Sequence, residues 1–520
     1  MSVTAFADEP YESYSYDNWE SAIPSQSGYT VQKTVTGTDM GLERLSDPTD
    51  PLYYADDASS SLSEGKDMYV FDDSEIWVAD TGNNRILRLN SDYEVTGRYY
   101  TVTGESVLGD DISKTDDGSA TYLSSPQGIF VMTSPTTGKQ TVYIADYDNS
   151  RVVRASVDSD TELTLEQEYV KPEEALYTSK TFNPTKVLVD YAENVYAVVK
   201  SVNTGSVQFK SDGSFTGFYG ANRVEVTAKV IAQKLWRKIA SNEQIEGMSR
   251  NVPVEYANFD IDDEGFIYTV TEVSTDTDAV KKINPAGYNI WDNSVGDEYN
   301  FGDYTDAVWD IASNKKHVTK LTDIAVDSDG IMNVLDYETG RVFQYDRLAN
   351  LICIFGTTTS SADQRGSFSA PNAVDTINDT VIVLDGSKTR NDITVFEKTK
   401  FGENLHQAFA YFDAGLYTEA APYWQEVLKR DGGYTYAYIG LGKADLKNND
   451  YAAALDKFEV ANDKDDYDKA FEYYREEWLQ NHFYAIFTII IVLIVLLIVK
   501  KILNKKGIKL IKRRKKKEAE

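Results

Sequence analysis

Cysteine is almost absent. Cys353 stands alone in 520 residues, which excludes an intrachain disulfide and any metal site built from several thiolates of this chain. Its context, LICIFG, is strand-like and points to a small buried hydrophobe rather than a reactive thiol. Histidine is limited to His317, His406 and His482. No P-loop, GxSxG, HExxH or CxxC motif occurs, so phosphoryl transfer, acyl transfer and metalloprotease chemistry have no support. Basic residues are outnumbered, 52 Lys and Arg against 83 Asp and Glu, for a net charge of -31. The imbalance is steeper than that figure. Lys500 to Glu520 carry 11 Lys and Arg against Glu518 and Glu520, a net +9, so residues 1–499 carry -40. A surface of that sign repels phosphate backbones, and nucleic-acid binding is discounted.

With 42% hydrophobic and 12% aromatic residues, the chain can bury a large core, and its length implies two or more folded units. Phe483 to Val499 (FYAIFTIIIVLIVLLIV) is an uncharged run that would span about 25 Å as a helix, close to one bilayer core. Trp478, His482 and Tyr484 sit where interfacial side chains belong, and Lys500 and Lys501 can snorkel at the other boundary. The basic tail over 500–520 then predicts a single-pass cell-membrane protein, with the bulk of the chain extracellular and the C-terminus cytoplasmic. No LPxTG-like sorting motif precedes the run, so the helix is expected to be retained. At the other end, Ala5-Phe6-Ala7 before Asp8 has the small-x-small pattern of a signal-peptide cleavage site. Residues 1–7 are therefore expected to be a signal remnant, and 8–28 an aromatic N-terminal segment.

Between these ends, strand-turn-strand units recur. Ile76 to Leu89 reads IWVADTGNNRILRL, Val142 to Arg154 VYIADYDNSRVVR, Met332 to Tyr345 MNVLDYETGRVFQY, and Val381 to Arg390 VIVLDGSKTR. An Asp closes one strand and an Arg follows five residues later in all four: Asp80/Arg85, Asp146/Arg151, Asp336/Arg341 and Asp385/Arg390. Their recurrence points to pinning of the hairpin by charge-assisted hydrogen bonds rather than to a ligand site. Two more degenerate units cover Phe182 to Gly220 and Tyr256 to Trp291. Asp260 to Gly265 has the beginning of an EF-hand loop but Thr271 at the twelfth position; it and Asp327 to Gly330 are read as hairpin turns.

On these residues the sequence resembles the NHL-repeat family, with Ser125-Pro126-Gln127-Gly128-Ile129 matching the opening of that repeat and IWVADTGNNRI its close. The resemblance covers residues 29–400 and implies an all-β six-bladed propeller. Tyr29 to Gly37 would be a detached outer strand that completes the last blade and closes the ring. An amphipathic helical insertion is expected over 222–256, marked by Val230, Leu235, Trp236 and Ile239. Zinc-dependent lyases of this fold use several histidines at the channel, whereas only His317 lies in this propeller, so that chemistry is excluded. A calcium-dependent lactonase would need only convergent oxygens at the axis, which this Asp-rich chain could supply without a signature. The aromatic segment (Tyr11, Tyr14, Tyr16, Trp19) could meet sugar or protein but is read as a clamp on the propeller's outer surface.

From Phe401 the period becomes helical, with a 34-residue self-similarity: Ala408/Gly442, Tyr417/Tyr451, Ala420/Ala454 and Trp424/Phe458. These positions resemble the packing residues of tetratricopeptide repeats, and an all-α domain is expected over 401–480. Tyr467, Phe471, Tyr474 and Trp478 would form a capping helix leading to the transmembrane helix over 483–499. The whole chain is similar to a group of Gram-positive membrane proteins that join these parts and whose genes often lie beside carbohydrate transporter genes. That resemblance implies a partner such as a transporter component, with a carbohydrate as a possible ligand, and no established activity. The expectation is a non-catalytic recognition or scaffold protein needing no cofactor. The alternative is a surface enzyme, lactonase- or lyase-like, acting on carbohydrate with a divalent cation at the propeller axis.

Overall fold

The computed structural model describes residues 11–17, 21–55, 59–220, 255–272, 279–291, 301–303, 308–310, 315–317, 319–358, 364–388 and 390–505. The signal remnant over 1–7, the helical insertion up to residue 254, and the tail beyond 505 lie outside these residues.

The alternating segments fold as six blades of antiparallel strands. Four-stranded blade one runs Asp67–Phe71, Glu75–Asp80, Arg85–Asn90 and Val95–Tyr99. Its first turn, Asp72 to Ser74, closes with the Ser74 N–H on the Phe71 carbonyl at 3.2 Å and puts Asp72 and Asp73 at φ 52° and 49°, left-handed values that suit the twist of a hairpin. Blades two to six begin with the inner strands Pro126–Thr133, Pro184–Val189, Tyr256–Ile261, Leu321–Val326 and Pro371–Ile377. Each inner strand packs on the next, and the sixth packs on the first. Tyr29–Val35 is the outer strand of blade six, paired with Asn391–Lys398 from Tyr29↔Lys398 to Val35↔Ile393. Closing the ring with the N-terminal strand ties residue 29 to residue 398 and leaves no open seam between first and last blade. Asp262 and Asp327 each accept two backbone N–H bonds within their own turns, with Gly265 and Gly330 at φ 82° and 76°. Both loops are hairpin turns.

Helices α1 (Lys400–Asp413), α2 (Tyr417–Arg430), α3 (Thr435–Lys447) and α4 (Tyr451–Ala461) form antiparallel pairs, followed by α5 (Lys464–Lys505). The 483–499 run is part of α5, which continues unbroken for 42 residues, about 63 Å at 1.5 Å per residue. None of its apolar window is buried in the protein. The same composition in a core helix would be covered, so α5 has the length and the exposed apolar surface of a membrane span.

The helices join the propeller through a common core. Phe401, Leu405, Phe409, Trp424 and Tyr434 pack in one cluster with Val342, Phe355 and Phe396 of blades five and six, each such side chain contributing about 1.5–3 kcal/mol relative to exposure. Thr399 caps α1 by accepting from the Gly402 N–H and donates its hydroxyl to the Ser27 carbonyl, 2.7 Å away. Inside the seam, Gln344 donates to the Tyr29 hydroxyl at 3.0 Å, and His406 Nε2 lies 2.8 Å from Gln344 Oε1 and 3.2 Å from the Tyr29 hydroxyl. Burial holds His406 well below its usual range, at about 3, so the ring is neutral. Cys353 is buried in the same seam, and burial pushes its thiol up to about 12.

Candidate functional site

The inner strands set the chemistry at the axis. Asp67, Gly128, Lys186, Asn258, Asp323 and Ala373 occupy one register position, each opposite a small or aliphatic residue of its blade's second strand. Two residues further along, on the same face because strand side chains alternate, stand Tyr69, Phe130, Leu188, Asp260, Ala325 and Asp375. This second ring lines a cavity of about 650 Å³ together with Asp67, Asn258 and Asp323.

Neighbouring blades are fastened through these carboxylates. Asp67 accepts from the Ile129 N–H at 2.8 Å, Asp260 from Val326 at 2.7 Å, Asp323 from Val374 at 2.7 Å and Asp375 from Val70 at 2.6 Å. Each bond crosses to the next blade. The second oxygen of each is also occupied: Asp67 by the Lys186 ammonium, Asp323 by the Asn258 amide, and Asp260 and Asp375 by the N–H of the following residue. Lys186 reaches Asp67 past blade two only because Gly128 has no side chain; a Cβ there would lie 2.7 Å from the Lys186 Cα. Burial pushes Asp260 up to about 6 and raises Asp323 and Asp375, the latter further because Asp260 carries like charge. Carboxyls so placed could exchange protons near neutral pH. Among the described residues, no group of three or more His, Cys, Asp or Glu side chains is arranged to hold a metal ion.

The Asp/Arg positions fall at the opposite ends of the second and third strands. Arg85 Nε lies 2.6 Å from Asp80 and Arg151 Nε 2.8 Å from Asp146, with all four side chains fully buried. Arg151 also pairs with Glu168, and Arg85 donates to the Tyr100 hydroxyl. The later two blades depart from this arrangement. Asp336 and Arg341 face each other in the ladder, yet the Arg341 guanidinium goes to Asp303 at 3.0 Å and stacks over Tyr14, while the Asp336 side chain takes the Thr339 hydroxyl. The reason is the strap Tyr14–Tyr16, which packs on blade five and sends both tyrosine hydroxyls to Asp303. In blade six, Arg390 is 3.7 Å from Asp385 but hydrogen-bonds Asp392 at 2.8 Å. Asp385 is taken by the N–H groups of Ser369 and Ala370.

In the helices, Ala408, Ala420, Trp424, Ala454 and Phe458 are fully buried and Tyr417 and Tyr451 half-buried. Gly442 is a true small position, since a Cβ would lie 2.6 Å from the Phe458 ring. The axial residues were missed by sequence reasoning, although a signal existed: aligning the third residue of the Pro126-Gln127-Gly128 opening across repeats brings Lys186, Asn258, Asp323 and Ala373 into one column.

No family model matches the chain, and no curated protein matches it. Solved structures that are similar include virginiamycin B lyase from Staphylococcus aureus at 10% identity, over 65% of this chain and 96% of that one, with a TM-score of 0.37. A protein of unknown function from Bacteroides thetaiotaomicron is similar at 11% identity over 72% and 78%, TM-score 0.40. The PQQ-bound aldose sugar dehydrogenase from Streptomyces coelicolor is similar at 14% over 72% and 99%, TM-score 0.38. The strand pairing described above, rather than these likenesses, defines the propeller.

Proposed function

We propose that this chain is a non-catalytic recognition or scaffold protein: an NHL-type propeller outside the cell, held on a tetratricopeptide-like helical stalk above a single membrane span. The basic tail over 500–520 sets its C-terminus inside. The observation that carries this reading is the common core of blades five and six with α1 to α3, continued through α4 into α5. A propeller tethered only for retention would need no such joint. A buried seam instead fixes the height and orientation of one face relative to the bilayer, which suits a partner that is itself a membrane protein, such as a transporter component.

The test is crosslinking in intact membranes with identification of the captured protein. A transporter permease should be recovered with the full chain and lost when residues 401–480 are deleted and the propeller is joined directly to the span. Recovery of no membrane protein, or equal capture by the deletion, rejects the reading. The alternative, a surface enzyme acting on carbohydrate with a divalent ion at the axis, is favoured only by the elevated Asp260, Asp323 and Asp375. Their oxygens already serve the neighbouring blade. Metal analysis of purified protein together with hydrolase assays decides between the two.

A further inference from the structure

A second cleft lies between blades one and two, at the end of the propeller away from the axial cavity's mouth. Its volume is about 1010 Å³. Its walls come from the turns between second and third strands (Asn83, Asn84 and Asn149), from Ser59 to Ser61, and from an inserted hairpin. That hairpin, Thr101–Thr103 with Ala120–Tyr122, extends the sheet of blade two and brings Ser113, Tyr122, Leu123 and Ser124 to the rim.

Its described lining holds serine, asparagine, tyrosine and one leucine; residues 56–58 lie outside the described residues. Behind the lining, the Arg85 guanidinium donates to the Ser61 carbonyl and the Tyr100 hydroxyl, while Arg98 lies against the Tyr54 and Tyr100 rings. In a chain that is 26% charged with a net -31, a described lining of uncharged side chains favours hydrogen bonding and ring contact over ion pairing. Three amides are oriented for it. Asn83 Nδ2 donates to Asp80 at 2.9 Å and to the Ser61 carbonyl at 3.0 Å; Asn149 Nδ2 donates to Asp146 at 2.8 Å and to the Tyr122 carbonyl at 2.9 Å. Those partners can only accept, so the amide orientation is fixed and each Oδ1 is left as an acceptor. Asn84 is held the other way round: its Oδ1 takes the Ser125 N–H at 2.8 Å, leaving Nδ2 as a donor. Beside them, Tyr54 and Tyr100 stack with centroids 4.1 Å apart and planes within 8°, a flat wall at low entropic cost.

Two acceptors, one donor, serine hydroxyls and aromatic surface, on uncharged side chains and preorganised by the repeat's own buried Asp, match a ligand that presents alternating hydroxyl donors and acceptors on an apolar ring. We infer that the cleft between blades one and two binds a neutral oligosaccharide. Asn83 and Asn149, the third residues after the buried Asp80 and Asp146, thus serve the hairpin with one end of the amide and the ligand with the other.

The test uses the full chain in lipid nanodiscs, free of glycoside detergent, titrated calorimetrically with maltotetraose, cellotetraose, xylotetraose and the anionic tetragalacturonate. At least one neutral tetrasaccharide should bind. Asn84→Asp keeps the acceptor for the Ser125 N–H, replaces the outward donor by an acceptor and adds charge; it should weaken that binding at least about tenfold with an unchanged melting temperature. Ser113→Trp, on the exposed rim, should do the same by bulk. Binding of tetragalacturonate alone, of none of the four, or equal binding by both variants overturns the proposal.

Discussion

The propeller axis and the seam with the helices both bury polar groups, and they do so in opposite ways. At the axis, four carboxyls and one ammonium are stabilised by backbone N–H groups of adjacent blades and by one ion pair. The seam holds a neutral set, Tyr29, Gln344 and His406, in which hydrogen bonds are exchanged without net charge. The Asp67–Lys186 ion pair supplies the strongest of the axial bonds, while burial raises Asp260, Asp323 and Asp375 toward their neutral forms. A seam rich in aromatic rings would instead make a charge expensive. The two regions should therefore respond differently to truncation and to pH.

The largest effect is expected from Asp67→Ala, which leaves Lys186 buried without its ion-pair partner and should cost about 3–5 kcal/mol in urea unfolding. Combining it with Lys186→Met should recover much of that loss; a double variant as unstable as the single one would show that the pair is not what fastens blades one and three. Next comes His406→Ala, expected to cost about 2–4 kcal/mol through a cavity and orphaned partners. Here the helices should melt before the propeller, so a single transition by both near-ultraviolet and far-ultraviolet signals contradicts the seam's role as the joint.

The pH responses carry opposite signs. Asp260 is raised to about 6 in the fold from an ordinary 3.8, so its stabilising contribution is complete below about 4 and is lost as pH rises through 6. His406 is lowered to about 3 from 6.5, so its contribution is complete above about 6.5 and is lost as pH falls toward 3. Asp260→Asn should flatten the alkaline decline in melting temperature, an effect of about 3 kcal/mol at most, while His406→Gln should flatten the acid one. Exchange of these two outcomes would refute the assignment. The smallest effect belongs to Arg341→Ala. Arg341 is partly exposed and Asp303, though buried, keeps the Tyr14 and Tyr16 hydroxyls, so a loss of about 1–2 kcal/mol is expected. Several are expected for Arg151→Ala, where the lost side chain is fully buried and leaves both Asp146 and Glu168 without their ion-pair partner.

Much of the architecture was legible in the chain. Alternation with Asp and Arg at fixed offsets marks the hairpins of blades one and two, and YTVQKTV, detached from any unit, marks the strand that closes the ring. The apolar run ending in lysines marks the span, although its fusion with the preceding helix into one 42-residue element follows from the absence of any breaker between Lys464 and Lys505. The axial carboxyls were far less legible. A repeat motif reports what each blade needs for itself, whereas Asp67, Lys186 and Asp323 satisfy neighbours and so differ from blade to blade. Arg341 shows the same limit. Its spacing from the preceding Asp equals that of Arg85, and a strap more than 300 residues away redirects it to Asp303.

By itself, then, the sequence determined the elements, their order, and the sign and place of the charge, because period, turn chemistry and hydropathy act over a few neighbouring residues. Only the tertiary structure decided which carboxyls meet at the axis, which amides share the cleft between blades one and two, and that blades five and six share a core with the helices. Those choices depend on ring closure and on the docking of α1, and so on contacts between residues far apart in the chain.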